Sequence, residues 1–96
     1  MYMSLPDMQR LLAVVLEARS LMARPENDFS YSRWQNSSEA TLEFDVFIAE
    51  LRLGTLPDGL AAEFAPASST QEVSISSGWA LEFVTLVERF GKAMAR

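Results

Sequence analysis

Three long segments of this 96-residue chain carry apolar residues at the spacing of an α-helix. The clearest is the last one, from about 79 to 95, where the apolar side chains share one face. That face consists of Trp79, Phe83, Leu86, Val87, Phe90 and Met94. The pattern predicts an all-α fold, a small compact helical domain of three main helices plus one or two short helical segments. We expect residues 1–96 to form a single domain.

The first helix is expected over residues 5–23. Ser4 is the expected N-cap, with Asp7 as the acid of a capping box, and the proline at position 25 ends the helix. Its broad apolar face consists of Met8, Leu11, Leu12, Val15, Leu16 and Met22. Val14 lies outside that face, which indicates that this helix contacts more than one neighbour.

The second helix is expected over residues 38–53, with Asn36 as a cap and Gly54 as its stop. Its apolar residues form two stripes on nearly opposite sides. One stripe consists of Ala40, Phe44, Phe47, Ile48 and Leu51, and the other of Leu42, Val46, Ala49 and Leu53. Such a helix needs cover on both sides. Either it is the central helix of the monomer, or Leu42, Val46 and Leu53 form the seam of a homodimer.

Two shorter segments complete the expected helices, one over residues 60–65 and one over residues 70–77. Ser69 and Glu72 have capping-box spacing, and Gly78 would close the second segment. Val73 and Ile75 alternate with serines, so a short strand is the alternative there. We favour the helix.

The polar connection over residues 25–37 carries the aromatic residues Phe29, Tyr31 and Trp34. Its Ser and Asn content predicts a loop folded back onto the helices, with a strand as the alternative. Trp34 is either a lid over the core or, with Tyr31 and Arg33, an exposed anchor for a partner. Trp79 begins the most amphipathic helix, and we expect it to pack in the core.

The chain contains no histidine and no cysteine. These residues supply most general acid–base catalysis, thiol chemistry and zinc ligation, so the usual catalytic triads, thiol nucleophiles and zinc sites are excluded. The serines have no basic partner at a recognisable spacing and are better explained as helix caps and loop residues. We therefore predict that the protein is not an enzyme, has no catalytic residues and needs no cofactor.

Carboxylates are the remaining reactive groups, and Glu39, Glu43 and Glu50 line one edge of the second helix. Such an edge is usually a solvated polar face. The alternative is a small-ligand or divalent-metal site, although the known helical-bundle sites of that kind draw convergent acids from a second helix.

The net charge of −5 and the absence of a basic run disfavour nucleic-acid and membrane-surface partners. A basic protein surface, or a second copy of the chain, is the favoured partner. No apolar run is long enough to span a bilayer, and the lack of cysteine fits a reducing compartment, so a cytoplasmic location is expected.

One resemblance concerns the C-terminal two-thirds of the chain. Four short motifs resemble a pattern of small uncharacterised bacterial proteins. They are Asp28-Phe29-Ser30-Tyr31-Ser32-Arg33-Trp34, Phe64-Ala65-Pro66, Gln71-Glu72-Val73-Ser74, and Gly78-Trp79 with Phe83. The chain departs from it at Ala67-Ser68-Ser69, where Thr-Gly is expected. The resemblance implies a compact bacterial domain with Gln71, Glu72 and Trp79 as characteristic positions, and it carries no assigned activity.

These observations favour a small acidic protein-interaction module of adaptor or immunity-like type that forms a homodimer. The alternative is a helical protein that binds a small ligand or divalent metal through the edge of Glu39, Glu43 and Glu50. The candidate interaction residues are Trp34, Tyr31, Arg33, Leu42, Val46, Leu53, Gln71, Glu72 and Trp79.

Overall fold

The computed structural model describes residues 5–95, and every regular element in this part of the chain is an α-helix. The helices are α1 (Met8–Met22), α2 (Ser37–Arg52), α3 (Leu60–Glu63), α4 (Ser69–Ser77) and α5 (Ala80–Ala95). The predicted all-α fold of three main and two short helices is confirmed. The helices share one hydrophobic core in a body of 46 × 24 × 17 Å.

Helix α1 begins later than the sequence predicts. Asp7 is its N-cap, and the Asp7 carboxylate accepts a hydrogen bond from the Arg10 backbone N–H over 3.1 Å. The expectation of Asp7 as an acid inside the first turn is therefore wrong, because its own backbone is extended and its side chain caps the helix. The expected cap, Ser4, lies outside the described residues. The Asp7 N–H also donates to the Ala93 carbonyl of α5 over 2.8 Å, which fixes the entry to α1.

Helix α1 is the central element of the fold, since it packs against both α2 and α5. Val14, which lies outside the predicted apolar face, is buried, as are Leu11 and Val15 of that face. The prediction that α1 contacts more than one neighbour is confirmed. The idea that α2 is the central, doubly covered helix is wrong.

Helix α2 begins and ends close to where its sequence predicts. The Asn36 side chain accepts a hydrogen bond from the Glu39 N–H over 3.0 Å. The chain leaves the helix through Gly54, whose φ of +82° is in the left-handed region that glycine adopts without strain. The Ser37 hydroxyl donates to the Met22 carbonyl over 2.8 Å, so the start of α2 is tied to the end of α1.

Residues 69–77 form helix α4 rather than a strand. Ser68, not Ser69, is its N-cap and accepts a hydrogen bond from the Gln71 N–H over 3.0 Å. Gly78 ends the helix with a φ of +86°, as predicted. The alternation of Val73 and Ile75 with serines is misleading, because a cap and a stop on either side of nine residues favour a helix more strongly than a short alternating run favours a strand.

Helix α5 buries one apolar face, which consists of Phe83, Leu86, Phe90 and Ala93. Phe64, in the turn after α3, stacks on Phe90 with ring centroids 4.5 Å apart and on Phe83 at 6.2 Å. Trp79 is completely buried just before α5, so its predicted core position is confirmed. No helix within residues 5–95 is long and apolar enough to cross a membrane.

Candidate functional site

The second apolar stripe of α2 lies on the surface of the protein. Leu42 is 67% exposed, Val46 is 51% exposed and Leu53 is 83% exposed, and Ala49 between them is exposed as well. We call these four residues the outer stripe. The opposite stripe of α2 is buried, with Phe44 at 0% exposure. The fold therefore covers α2 on one side only.

Charged groups border the outer stripe on both edges. On one edge, Arg19 of α1 makes two hydrogen bonds to Asp45, at 2.9 and 3.2 Å. The hydrogen bonds from Arg19 hold the pKa of the Asp45 carboxyl below its ordinary value, although burial acts in the opposite direction. Arg52 follows on the same edge, is exposed, and forms no ion pair within residues 5–95. On the other edge, Arg33 forms an ion pair with Glu43. The acids nearest the stripe are thus partly neutralised by arginines.

The loop before α2 closes over the core. Trp34 is only 4% exposed, packs edge-on against Phe44 with ring centroids 6.2 Å apart, and donates its indole N–H to Glu43 over 3.1 Å. The lid interpretation of Trp34 is confirmed, and the exposed-anchor interpretation is wrong. Tyr31, in contrast, is 72% exposed. Among the loop aromatics, Tyr31 is therefore the one available to a partner.

Arg33 is the hub of the loop's polar contacts. Its guanidinium donates to Glu43 and, over 2.8 Å, to the Glu63 carboxylate, and lies 4.7 Å from the centroid of the Trp34 ring. Burial favours loss of its proton, but the two carboxylates outweigh this effect, so the pKa of Arg33 lies above its ordinary value. Arg33 therefore fastens the loop to α2 and to the end of α3.

Glu63 is 5% exposed, a degree of burial that a carboxylate tolerates only when paired. One of its oxygens accepts from the Thr70 hydroxyl over 2.8 Å and from the Thr70 N–H over 3.3 Å, while the other faces Arg33. Both carboxylate oxygens are thus used inside the protein. This arrangement stabilises the junction of loop, α3 and α4.

The same loop is hydrogen-bonded to α4 at both ends of that helix. The Arg33 N–H donates to the Ser69 hydroxyl over 3.0 Å at the start of the helix, and the Asp28 N–H donates to the Ser77 hydroxyl over 2.9 Å at its end. Asn27 accepts the indole N–H of Trp79 over 3.0 Å. In the described part of the chain, no buried side-chain nitrogen or oxygen lacks a hydrogen-bond partner. The loop therefore runs beside α4 as a packed part of the fold.

Gln71 and Glu72, which the bacterial pattern marks, are partly buried in the first turn of α4. The Gln71 side chain accepts a hydrogen bond from the Ala67 N–H. Ala67 has a φ of +63°, a conformation that costs most non-glycine residues about 1 kcal/mol or more. Gln71 therefore supports a strained turn, which is a structural role. Glu72 lies in the first turn of α4, where a carboxylate interacts favourably with the helix dipole.

The acidic edge of α2 does not converge on a common point. Glu43 is bound to Arg33 and Trp34, and Glu39 accepts the Gln35 N–H over 3.0 Å. Residues 5–95 contain no group of three acidic side chains placed to hold a metal ion. The geometry thus gives no support to a metal site at Glu39, Glu43 and Glu50.

The sequence did not point to Glu63, Thr70 or Asn27, although each holds one of the predicted site residues or its neighbours in place. One signal was present: a buried tryptophan needs an acceptor for its indole N–H. For Trp34 that acceptor is Glu43 and for Trp79 it is Asn27. The chain positions of these acceptors bear no regular relation to the tryptophans, so only the fold reveals them.

A second apolar surface lies between α1 and α5, as a groove of about 520 Å³. Leu16, Leu21 and Leu86 line it, and the ion pair between Glu17 and Arg89 borders it. Leu16 is 38% exposed and Leu86 is buried, so this groove presents less exposed apolar side chain than the outer stripe does. We therefore regard the outer stripe as the stronger candidate.

Comparison with known proteins gives no independent guide to function, since no protein-family model, curated protein or solved structure matches this chain.

Proposed function

We propose that this protein is a non-catalytic protein-interaction module, of adaptor or immunity-like type, that acts in the cytoplasm by binding a protein through the outer stripe of α2. One observation carries the proposal: Leu42 and Leu53 are 67% and 83% exposed on a helix whose other face is fully packed. Exposed apolar side chains in a continuous row are unfavourable in water, and such rows mark interaction surfaces.

The size of the stripe supports this function. From the exposed fractions, Leu42, Val46 and Leu53 together present on the order of 400 Å² of surface, the scale at which apolar patches on monomers are often functional. The core does not require these side chains to be apolar, because each is more than half exposed. We attribute their apolar character to binding.

The experiment compares the proteins that the wild-type chain and a stripe variant capture from an extract of the native host. The variant Leu42→Ser/Leu53→Ser should lose the bound protein, including any copies of the chain itself. The matched control is Leu81→Ser, since Leu81 is 81% exposed but lies on α5. Thermal unfolding should show that both proteins remain folded. Equal capture by wild type and the double variant would overturn the proposal, as would loss of capture in the Leu81→Ser control alone.

Tyr31 provides a second test of the same kind of surface. Tyrosine is enriched in interfaces because it offers large contact area and a hydroxyl. Tyr31→Ala should weaken capture while leaving the unfolding temperature nearly unchanged, because the side chain is 72% exposed. A large fall in stability would instead show that Tyr31 supports the loop.

A further inference from the structure

We infer that the outer stripe pairs with the outer stripe of a second copy of this chain, with the two α2 helices antiparallel. The inference rests on the proposed function and names the partner of that surface. Three features of α2 carry it: the spacing of the stripe, the charges along its edges, and the area that the stripe offers.

The spacing of the outer stripe is that of a helix–helix seam. Leu42, Val46, Ala49 and Leu53 follow one another at intervals of four, three and four residues, close to the repeat of about 3.5 residues in paired helices. The row is about 16 Å long at about 1.5 Å per residue. Ala49 is small and lies mid-row, which permits close approach of a second helix. In an antiparallel pair, Leu42 lies opposite Leu53 of the second copy, and Val46 lies opposite Ala49.

The edge charges select the antiparallel orientation. Antiparallel pairing places Asp45 of each copy beside Arg52 of the other, so that two attractive contacts form across the two-fold axis. Arg52 has no ion pair to give up within residues 5–95. The opposite edge brings Glu43 near Glu50, and the Glu43 charge is already met by Arg33. Parallel pairing would instead set Asp45 against Glu50 twice.

The same edges favour a second copy over a strongly basic partner. Although the whole chain has a net charge of −5, two of the acids beside the stripe, Glu43 and Asp45, are paired with arginines. A strongly basic surface would gain little from acids that are already paired, whereas a second copy brings a single cation, Arg52, beside Asp45, whose side chain is 48% exposed. Two fully covered stripes of about 400 Å² each would bury on the order of 800 Å², which is the range of weak, reversible complexes. We therefore expect a monomer–dimer equilibrium at micromolar or higher concentration.

Single cysteines test the orientation directly, because the natural chain contains none. The variants Leu42→Cys and Leu53→Cys are mixed under mild oxidation. Antiparallel pairing predicts a disulfide between the two different variants. It predicts none within either variant alone, where the cysteines are about 16 Å apart and a disulfide needs Cα atoms within about 7 Å. The control is a mixture of Leu81→Cys with Leu53→Cys, which should not cross-link.

Sedimentation supplies the second arm. The apparent molecular mass of the wild-type protein should rise with protein concentration. Arg52→Glu should weaken this association roughly tenfold, because it turns the attractive contact with Asp45 of the other copy into a repulsive one. The charge-matched control is Arg24→Glu, outside α2, which should associate as wild type does. Circular dichroism checks that each variant is folded.

The outcomes separate the two proposals. A monomer at every concentration, or disulfides within Leu42→Cys alone, overturns antiparallel self-pairing. If capture of another protein still depends on Leu42 and Leu53 in that case, the proposed function stands with a different partner. If the wild-type protein neither self-associates nor captures a protein in a way that depends on Leu42 and Leu53, the proposed function is overturned as well.

Discussion

Replacing Arg33 with alanine removes the contact on which the loop before α2 depends. The guanidinium donates to Glu43 and to Glu63, the latter over 2.8 Å, and covers the face of Trp34. In the variant, Glu63 remains buried between α3 and α4 and keeps only its Thr70 partners. One carboxylate oxygen is then left without the cation that balances it.

The loss of stability in Arg33→Ala depends on how deeply each partner of the ion pair is buried. Hydrogen bonds to charged groups are worth about 1.5–3 kcal/mol each, and stranding one partner of a buried pair costs more. The Arg33 side chain is 50% exposed, so water reaches the vacated site and reduces the penalty. We expect a loss of about 2–3 kcal/mol in the free energy of unfolding, which corresponds to a fall of about 10–20 °C in Tm for a domain of this size.

Thermal and urea unfolding measure this loss, with two matched variants as controls. Arg33→Met keeps an apolar stem over Trp34 but removes the charge, so it should lose most of the same stability. Arg19→Ala breaks the exposed contact to Asp45 and should cost about 1 kcal/mol or less. In the background Glu63→Gln, Arg33→Ala should cost less by about 1–2 kcal/mol, because no buried charge is then stranded.

Several results would refute this reasoning. If Arg33→Met is as stable as wild type, packing of the stem rather than the ion pair holds the loop. If Arg33→Ala and Arg19→Ala lose equal stability, the burial of Glu63 carries no energetic weight. If the costs of Arg33→Ala and Glu63→Gln are additive, the two side chains are not coupled.

Two backbone substitutions and one pH dependence follow from the same structure. Ala67→Gly should raise the free energy of unfolding by about 0.5–1 kcal/mol, because Ala67 has a φ of +63°. Gly78→Ala should lower it by about 1 kcal/mol, because Gly78 has a φ of +86°. Urea unfolding measures both changes, and changes in the same direction would contradict the backbone explanation. Hydrogen bonds from Arg89 and Arg19 hold the pKa values of Glu17 and Asp45, respectively, below their ordinary values of 4.5 and 3.8. The stability from these pairs is therefore full above the ordinary values and is lost as pH falls through the lowered ones. Each pair should contribute no more than about 1 kcal/mol to stability. In Arg19→Ala, Tm should therefore fall less steeply below about pH 4 than it does in wild type. An unchanged slope of Tm against pH would exclude the Asp45 contribution.

Local sequence determined the helices and most of their ends. The Asn36 cap, the Gly54 and Gly78 stops, and the apolar face of α5 act within one or two turns of the backbone, so their effects are readable from spacing alone. The start of α1 is one exception, because Asp7 caps the helix where the spacing predicts an acid inside its first turn. The Asp7 N–H bonds to the Ala93 carbonyl near the other end of the chain, and no local pattern predicts such a contact.

Tertiary structure decided which apolar stripe of α2 is covered. Both stripes are apolar, and their spacing alone does not predict that Phe44 is at 0% exposure and Leu42 at 67%. The difference arises because α1 occupies the centre of the fold and the loop carrying Trp34 closes over the Phe44 side. The pairing of Arg33 with the buried Glu63 likewise joins residues 30 apart in the sequence. The apolar content of each helix is a property of sequence, but its exposure is set by packing between distant segments, and the candidate site of this protein is defined by that exposure.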